Sequence, residues 1–552
     1  MPPDSTTMAT NGHDFSKYFQ SNDFPSFHDT TIIRERILEK SSRVTRMENE
    51  ISLLKEKLQT AKADLELHQS LLSGVRRLPT EILGEIFMLC AREDCSISTL
   101  PDPMKAPMLF CQISKAWRAA ATSNPLIWST FGIDVSRQPR ILELTKLWFQ
   151  RSQKLPLILG LRVNLDEKQE LQKIRAMNIQ LIKESILPNF TRCRSFTLRC
   201  AGEFDDSLLE EIPVLSSTNL EHLDLPLDLP SCPFMFQWCF HLAISSPQLR
   251  RLTCGIPSVL FVPSVWSNIE RVDLRFMGLT ASDVESFLRV APRLRQLSFG
   301  LVSRASQPQS LALRGSILEH DTLRSLQIYD RFGDLGSLID FLKFPKLVAL
   351  SISGRRYPWP HGQMLAFLER SNCALRLLNV ESTTMTSDDL ISYLSMDRIR
   401  RSLEDLRVNK TVPTSKTLLE FLTLKSSSEN PVPIPRLRSF MCSIDAVNQA
   451  SHFELFLKSR WHPDKDGTND EGTGGDSVSI SNLKRIYLTI VSPVFDGATI
   501  ETPALMELLE KVGKEPGGEV SVTMYRLSQT FDEDHSSLPP EPPSPPTSDY
   551  DG

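Results

Sequence analysis

The stretch Leu323-Arg324-Ser325-Leu326-Gln327-Ile328 decides the fold of this 552-residue chain. Its first, fourth and sixth positions are apolar and its other positions are polar, and the fourth and sixth positions have the two-residue spacing of a strand with one buried face. The same apolar triplet recurs at residues 220–225, 249–254, 269–274, 294–299, 347–352, 375–380, 403–408, 437–442 and 483–488. The first position is leucine in all but one of these segments. The sequence therefore predicts a series of equivalent strands.

The spacing of the triplets predicts a repeat architecture. Successive first positions lie 29, 20, 25, 29, 24, 28, 28, 34 and 46 residues apart, and most of these intervals match a leucine-rich repeat of about 20–29 residues. Capping-box sequences at 280–283 and 386–389 predict that helices begin between strands. We therefore expect an α/β fold over residues 193–527, an irregular leucine-rich-repeat solenoid with a curved parallel sheet inside and helices outside.

Composition divides the rest of the chain. We expect a disordered N-terminal arm, an amphipathic helix, a short helical module, a linker with the first solenoid elements, a disordered insertion within the solenoid, and a disordered acidic and proline-rich tail. These segments are residues 1–40, 41–77, 78–132, 133–192, 463–477 and 528–552, respectively.

The amphipathic helix has a heptad pattern. Its apolar positions alternate three and four residues apart and are Val44, Met47, Ile51, Leu54, Leu58, Ala61, Leu65, His68 and Leu72. Such a stripe is typical of a coiled coil, so a homodimer through residues 44–72 is one interpretation. The other is that the stripe packs against another part of the same chain.

The helical module opens with Leu78-Pro79, a favourable helix start, and continues as an apolar stripe. It resembles the F-box, the module that docks on the Skp-type adaptor of cullin ubiquitin ligases. The matching residues are Leu78, Pro79, Glu81, Ile82, Leu83, Ile86, Phe87, Trp117, Arg118, Pro125, Leu126 and Trp128. The resemblance implies that they bind the adaptor. An insertion at 92–105 departs from the family pattern, and its effect would be to weaken the affinity for the adaptor. The alternative is a helical cap that closes the end of the solenoid.

Arginines recur at the strands and are candidates for binding a substrate on the concave face. They are Arg250, Arg271, Arg295, Arg324, Arg376 and Arg438. One interpretation is a basic row that selects an acidic or phosphorylated partner. The other is a solvated column of charges, since Glu221, Glu270 and Glu404 interrupt it.

Composition argues against several functional classes. A formal net charge of −5 gives no overall attraction to nucleic acid or to an anionic membrane. No apolar run is long enough for a membrane span. Ten cysteines without a C-x-x-C pair favour reduced thiols in the cytoplasm or nucleus and no structural metal. Phosphate-loop and hydrolase motifs are absent from the sequence, so we expect a binding protein without catalytic residues or cofactors.

Together these patterns resemble the F-box/leucine-rich-repeat family, of the fungal F-box-like type. The resemblance implies the substrate-recognition subunit of an SCF-type cullin ubiquitin ligase, with the adaptor and cullin complex at one end and an unidentified protein substrate on the solenoid. The alternative is a leucine-rich-repeat scaffold that binds other proteins, as a monomer or a dimer, and does not act through a ubiquitin ligase.

Overall fold

The computed structural model divides the chain into two compact units, Met1–Glu85 and Ile86–Gly552. The residues that it describes are 15–21, 23–94, 103–134, 141–164, 180–201, 219–225, 241–254, 266–302, 317–354, 357–408, 414–424, 432–445, 449–461, 483–492, 503–514 and 518–526. The predicted insertion at 463–477 and the predicted tail at 528–552 lie outside these ranges, as does part of the F-box insertion.

The first unit is dominated by one long helix. Helix α1 spans Ser16–Gln20, α2 spans Phe27–Leu71, and a 3-10 turn at Gly74–Arg77 follows. The Ser26 hydroxyl caps α2 by accepting a hydrogen bond from the Asp29 backbone N–H at 3.2 Å. The helix therefore begins at Phe27 rather than at the predicted residue 41, inside the segment that we expected to be a disordered arm.

The second unit is an α/β fold built on a parallel sheet of fourteen strands. The strands β1 to β16 are Thr130–Asp134, Leu157–Asn164, Cys193–Ala201, His222–Asp224, Arg251–Thr253, Arg271–Leu279, Gln296–Leu301, Leu318–Glu319, Ser325–Asp330, Leu342–Lys343, Ala349–Ser353, Leu377–Glu381, Asp405–Val408, Ser439–Asp445, Arg485–Ser492 and Glu519–Arg526. The large sheet follows chain order throughout, while β8 and β10 pair with each other in a separate two-stranded sheet.

The apolar triplets set the register of the sheet. Leu223 pairs with Leu252, which pairs with Val272, and this row of fourth positions continues strand by strand to Phe440 and Ile486. Every residue of the row is at most 3% exposed. A one-residue slip would turn the whole row to the opposite face, so the triplet spacing specifies the pairing.

Helices connect the strands and cover the leucine face. Helix α3 spans Thr80–Asp94, so it begins in the first unit and ends in the second. The second unit also contains α4 to α15. The latter are Phe110–Ile113, Lys115–Ser123, Ile141–Arg151, Leu187–Phe190, Ala281–Val290, Leu335–Ile339, His361–Ser371, Ser387–Ser395, Asp397–Ser402, Lys416–Leu422, Ala450–Arg460 and Pro503–Lys514. Both predicted capping boxes are present, with Thr280 and Thr386 as the capping residues.

Aromatic contacts join the helices to the sheet. The rings of Phe453 and Phe456 on α14 lie 6.5 and 5.1 Å from the ring of Phe440 in β14. At the end of α14, the buried Arg460 guanidinium donates hydrogen bonds to the backbone carbonyls of Leu422, Ile434 and Pro433 at 2.8, 2.9 and 2.6 Å. A charged side chain thus fixes the irregular segments beside α14.

The sheet begins ahead of the triplet repeats, in the region that includes the predicted linker and first solenoid elements. Strands β1 and β2 pair in parallel ahead of residue 193, the predicted start of the repeats. Strand β2 overlaps the apolar run at residues 155–163, for which the sequence predicts a strand, but β1 does not carry the apolar triplet. Strand β2 thus lies in the segment predicted to hold the first solenoid elements, whereas β1 begins at Thr130, inside the predicted helical module.

Candidate functional site

Helix α3 has apolar side chains on two faces. Leu83 and Phe87, four residues apart, are buried. Ile82, Ile86 and Leu89 follow the i, i+4, i+7 spacing and are exposed by 47%, 36% and 61%. A helix of a globular protein normally has one apolar face turned to the core and a polar face turned to water. The exposed apolar face of α3 is therefore a candidate docking surface.

Three of the predicted adaptor-binding residues lie in the interior. Leu83 is buried, and the Phe87 ring stacks on Phe110 at 4.2 Å between ring centroids. Trp128 is fully buried, and its indole N–H donates a hydrogen bond to the Ala121 carbonyl at 2.8 Å. Phe87 and Trp128 hold the short helices together, and a partner would not meet any of the three buried side chains directly.

The other predicted adaptor-binding residues reach the surface. Leu78, Trp117 and Pro125 are half-buried, while the exposed ones are Pro79, Glu81, Ile82, Ile86, Arg118 and Leu126. The predicted adaptor-binding set leaves out Leu89 and Ile113, both exposed apolar residues. The signal for Leu89 was its position three residues after Ile86, which extends the same helix face.

The heptad stripe of α2 is exposed along its length. Within the first unit, no described residue of this 45-residue helix is buried. Val44, Ile51, Leu54 and Leu58 are each more than half exposed. The exposed stripe runs along one helix with a period of 3.5 residues, which is the seam geometry of a coiled coil.

In the sheet, the face opposite the leucines bears the polar side chains, and we call it the open face. Most of the predicted arginines stand immediately before their strands, at its entrance. Two of them lie beside acidic residues there: Arg250 lies 3.7 Å from Glu270, and Arg376 lies 2.9 Å from Glu404. Exposed ion pairs of this kind contribute about 0–1 kcal/mol each. This geometry favours the solvated column for this row.

Arg271 differs from the other predicted arginines because it lies within a strand. It is paired in register with Arg251 of β5, which in turn is paired with His222 of β4. Burial lowers the pKa of His222, and the neighbouring Arg251, Arg194 and Arg271 lower it further against the opposing effect of Glu221. The neighbouring arginines thus add to the effect of burial, and together they favour the neutral form of His222.

A cavity of about 530 Å³ extends along the open face from β5 to β14. Small side chains form its centre, among them Ser325, Ala349 and Ser351. Larger polar groups are held by one another: the Asn379 amide donates to the Ser351 hydroxyl at 2.9 Å, and the Ser353 hydroxyl donates to Glu381 at 3.1 Å. The floor is thus a preorganised polar surface with room for a bound segment.

The buried thiols are poorly suited to nucleophilic chemistry. Burial raises the pKa of Cys193 to about 12 and that of Cys373 to about 11, so both remain protonated at neutral pH. Within the described ranges, no group of three or more His, Cys, Asp or Glu side chains has the arrangement of a metal site. Among the helices that the structure describes, none combines the length and apolar character needed to cross a membrane.

Comparison with family models finds no match to this chain. Comparison with curated proteins likewise finds no match. The features of the chain that indicate a function are therefore the exposed face of α3, the heptad stripe of α2 and the open face of the sheet.

Proposed function

We propose that the protein is the substrate-recognition subunit of an SCF-type cullin ubiquitin ligase. The observation that carries the proposal is the second apolar face of α3, where Ile82, Ile86 and Leu89 are exposed. Exposed apolar patches on folded proteins mark interaction sites. The resemblance of Leu78-Pro79 and the residues after it to an F-box favours a Skp-type adaptor as the partner.

The sheet supports the substrate-binding half of the proposal. Its fourteen strands follow chain order, with only β8 and β10 set aside in a separate pair, as expected of an irregular leucine-rich-repeat solenoid. In such a protein the leucines form the core, and the residues between them are free to vary and to contact a ligand. The cavity on the open face is the surface that we assign to the substrate.

In this proposal the chain performs no chemistry itself. One surface binds the adaptor and another binds the substrate, so a substrate lysine is held near the ubiquitin-transfer machinery. The gain in rate comes from a raised effective concentration and from orientation. Removing either surface should abolish ubiquitination of the substrate without unfolding the other.

The test is to mix the purified full-length protein with a purified Skp-type adaptor at micromolar concentration. We expect the two to co-elute from a size-exclusion column, and we expect Leu78→Ala with Pro79→Ala to abolish co-elution while circular dichroism of the variant is unchanged. Failure of the wild-type protein to form a complex, or an undiminished complex with the double variant, would contradict the proposal.

The exposed stripe of α2 favours a second candidate function, a dimeric scaffold. In a parallel, in-register pair of α2 helices, Arg43 would face Glu48 of the second copy, and Glu50 would face Lys55, at the positions that flank the seam. Lys57 would face Lys62, which is repulsive. The balance of charges thus supports a parallel dimer, with one weak point near the middle.

The scaffold is tested by sedimentation of the full-length chain. Leu54→Glu with Leu58→Glu places charges in the seam and should convert a dimer to a monomer. Leu53→Glu with Leu67→Glu adds the same charges at exposed positions outside the seam, so this control should remain dimeric. A wild-type monomer at tens of micromolar would rule out the dimer.

A further inference from the structure

Aromatic side chains remain exposed at the edge of the sheet where strands β9 and β11 end. Phe332 follows β9 and is 49% exposed, and Tyr357 follows β11 and is 40% exposed. Pro358 is also exposed, and Trp359 is half-buried. We call these four residues the aromatic platform. A contiguous apolar patch on the surface of a folded protein marks a place where another group binds.

Gly333 joins the two exposed rings into one surface. Its φ is +83°, and a Cβ atom added at this position would lie 2.7 Å from Cγ of Tyr357. The left-handed turn and the close approach of the Tyr357 ring therefore both require glycine. Because Phe332 directly precedes Gly333 and Tyr357 packs on it, the platform is continuous between the two strand ends.

The platform is fixed from both sides. On the β9 side, one oxygen of the nearly buried Asp330 carboxylate accepts hydrogen bonds from the backbone N–H groups of Phe332 and Gly333 at 3.3 and 2.8 Å. On the β11 side, the Thr384 hydroxyl donates a hydrogen bond to the Tyr357 carbonyl at 2.6 Å. A surface that is already ordered loses little conformational entropy on binding, so the platform is suited to recognition.

The chemistry of the platform suits a polyproline helix. Trp359 donates its indole N–H to the Tyr393 hydroxyl at 2.9 Å, so the polar group of the indole is already bonded within the fold. Proline-rich segments dock on surfaces lined by aromatic side chains. Such a segment has no internal backbone hydrogen bonds to lose, and its prolines hold it in the extended conformation before it binds.

The chain itself contains a segment of this class. Residues 539–546 read Pro-Pro-Glu-Pro-Pro-Ser-Pro-Pro. A polyproline helix has three residues per turn and rises about 3.1 Å per residue. In that helix Glu541 and Ser544 would share one edge, the six prolines would form the other two edges, and the eight residues would extend about 25 Å. The proline edges would then face the rings while the polar edge faces water.

The topology of the sheet brings this segment within reach of the platform. All strands of the large sheet are parallel, so β16 ends at Arg526 on the same edge at which β9 and β11 end. From β11 to β16 there are five strand spacings in the sheet order, or about 24 Å. Residues 527–538 connect Arg526 to the prolines and can extend over about 40 Å.

We propose that residues 539–546 dock on the aromatic platform of the same chain. The proline rings pack on Phe332, Tyr357 and Trp359, and the segment covers the apolar surface that the fold leaves exposed. Because the segment is tethered, its effective concentration at the platform is on the order of 1 mM, and a proline-rich segment of another protein has to displace it. The inference goes beyond the proposed function, since the platform is separate from the adaptor-binding helix and from the cavity.

The first experiment introduces the photo-cross-linker p-benzoylphenylalanine in place of Phe332 in the full-length chain. An equal mixture of isotope-labelled and unlabelled protein is irradiated at micromolar concentration, and mass spectrometry identifies the linked residues. We expect cross-links to residues 538–548 within one chain. The control carries the cross-linker in place of Leu455, which is 58% exposed on α14 and follows β14, nearer to β16 in the strand order.

The cross-linking yields decide between docking and random contact. The yield of links to residues 538–548 should be at least fivefold higher from position 332 than from position 455. A freely moving tail would reach both positions, so equal yields would overturn the proposal. Links that join only labelled to unlabelled chains would also overturn it, because the segment would then dock on a second copy.

The second experiment measures binding of a fluorescein-labelled peptide of residues 537–548 to the full-length protein by anisotropy. For a peptide Kd of about 0.1 mM, an own segment at about 1 mM weakens the apparent affinity about tenfold. Replacing the six prolines of residues 539–546 by alanine in the protein should therefore tighten binding of the peptide about tenfold. Equal affinities for the wild-type protein and this variant, or no binding to either, would contradict intramolecular docking.

Substitutions in the variant without the six prolines locate the binding surface. Phe332→Ala with Tyr357→Ala should weaken binding of the peptide at least fivefold. The matched control, Ile317→Ala with Leu455→Ala, removes side chains that are 56% and 58% exposed and should change binding less than twofold. Equal losses in the two double variants would overturn the assignment of the platform.

Folding is controlled with a single substitution. Because Tyr357 packs on Gly333, its removal can lower the melting temperature, whereas Phe332 projects from a turn that Asp330 holds through the backbone. Phe332→Ala alone should leave the melting temperature unchanged and still weaken binding of the peptide at least twofold. Wild-type affinity in this single variant would count against the platform.

Discussion

Replacing Ile86 and Leu89 by alanine should weaken binding of the Skp-type adaptor and leave the fold intact. In the free protein these side chains are 36% and 61% exposed. If the adaptor covers these two side chains, the apolar surface that is still exposed in the free protein contributes its transfer free energy to binding. Alanine would retain only a fraction of that contact.

The size of the effect follows from those fractions. Complete burial of an isoleucine or leucine side chain contributes about 1.5–3 kcal/mol. The exposed fractions of the two residues together equal about one whole side chain, and alanine retains part of this, so the expected loss is about 1.5 kcal/mol. This corresponds to a roughly tenfold increase in Kd.

Isothermal titration calorimetry with purified adaptor measures the change, and the chain supplies a matched control. Met506 and Leu455 are 37% and 58% exposed, so Met506→Ala with Leu455→Ala removes a similar exposed apolar surface far from α3 in the sequence. The control should bind the adaptor as the wild-type protein does. The reasoning is refuted if the α3 variant binds within twofold of wild type, or if both variants lose affinity equally.

The remaining predictions concern the interior. Arg460→Met removes the donor to the carbonyls of Leu422, Ile434 and Pro433, and each loss costs about 1–3 kcal/mol. Because burial lowers the pKa of Arg460 to about 10, removing the charge offsets part of this cost. Urea unfolding should show a net loss of about 3 kcal/mol, whereas Arg401→Met on the surface should cost little. Phe87→Ala should cost about 3–5 kcal/mol in the same assay, because the ring is fully buried. Burial is the main cause that raises the pKa of Tyr393 to about 12. The stabilisation of the folded state that this shift represents is present below pH 10 and is lost as pH rises from 10 through 12. The stability difference between the wild-type protein and Tyr393→Phe should therefore decline across that interval in alkaline thermal unfolding, and a constant difference would contradict the prediction.

The strand register could be predicted from the sequence, because a single rule repeats. The fourth position of each apolar triplet is buried on the leucine face, and a one-residue slip in strand pairing would expose these side chains. Strand β1 lacks the triplet and was missed. The start of α2 was missed because composition suggested an arm, whereas the Ser26–Asp29 cap and the continued heptad spacing at Ile33 and Ile37 extend the helix.

The candidate sites were harder to predict, because helical spacing groups residues without saying which face meets the core. Ile86 and Phe87 are adjacent in sequence, yet one is exposed and the other is fully buried. The deciding contact is the stack of Phe87 on Phe110, more than twenty residues away in sequence. The arginines show the same limit. Their recurrence after the first leucine of the triplet identifies a row in which Arg250 and Arg376 lie beside glutamates. Only the register of β5 and β6 places Arg251 beside Arg271.

The chain-order sheet has a consequence for how such a protein can diverge. Strands β13, β14 and β15 pair in sequence although 34 and 46 residues separate the starts of their triplets. Each connection only has to return to the adjacent strand, and doubling the length of a flexible loop costs about 0.6 kcal/mol. New sequence can therefore be inserted between existing strands at small thermodynamic cost, and the edge of the sheet can gain elaborations while its leucine rows remain unchanged.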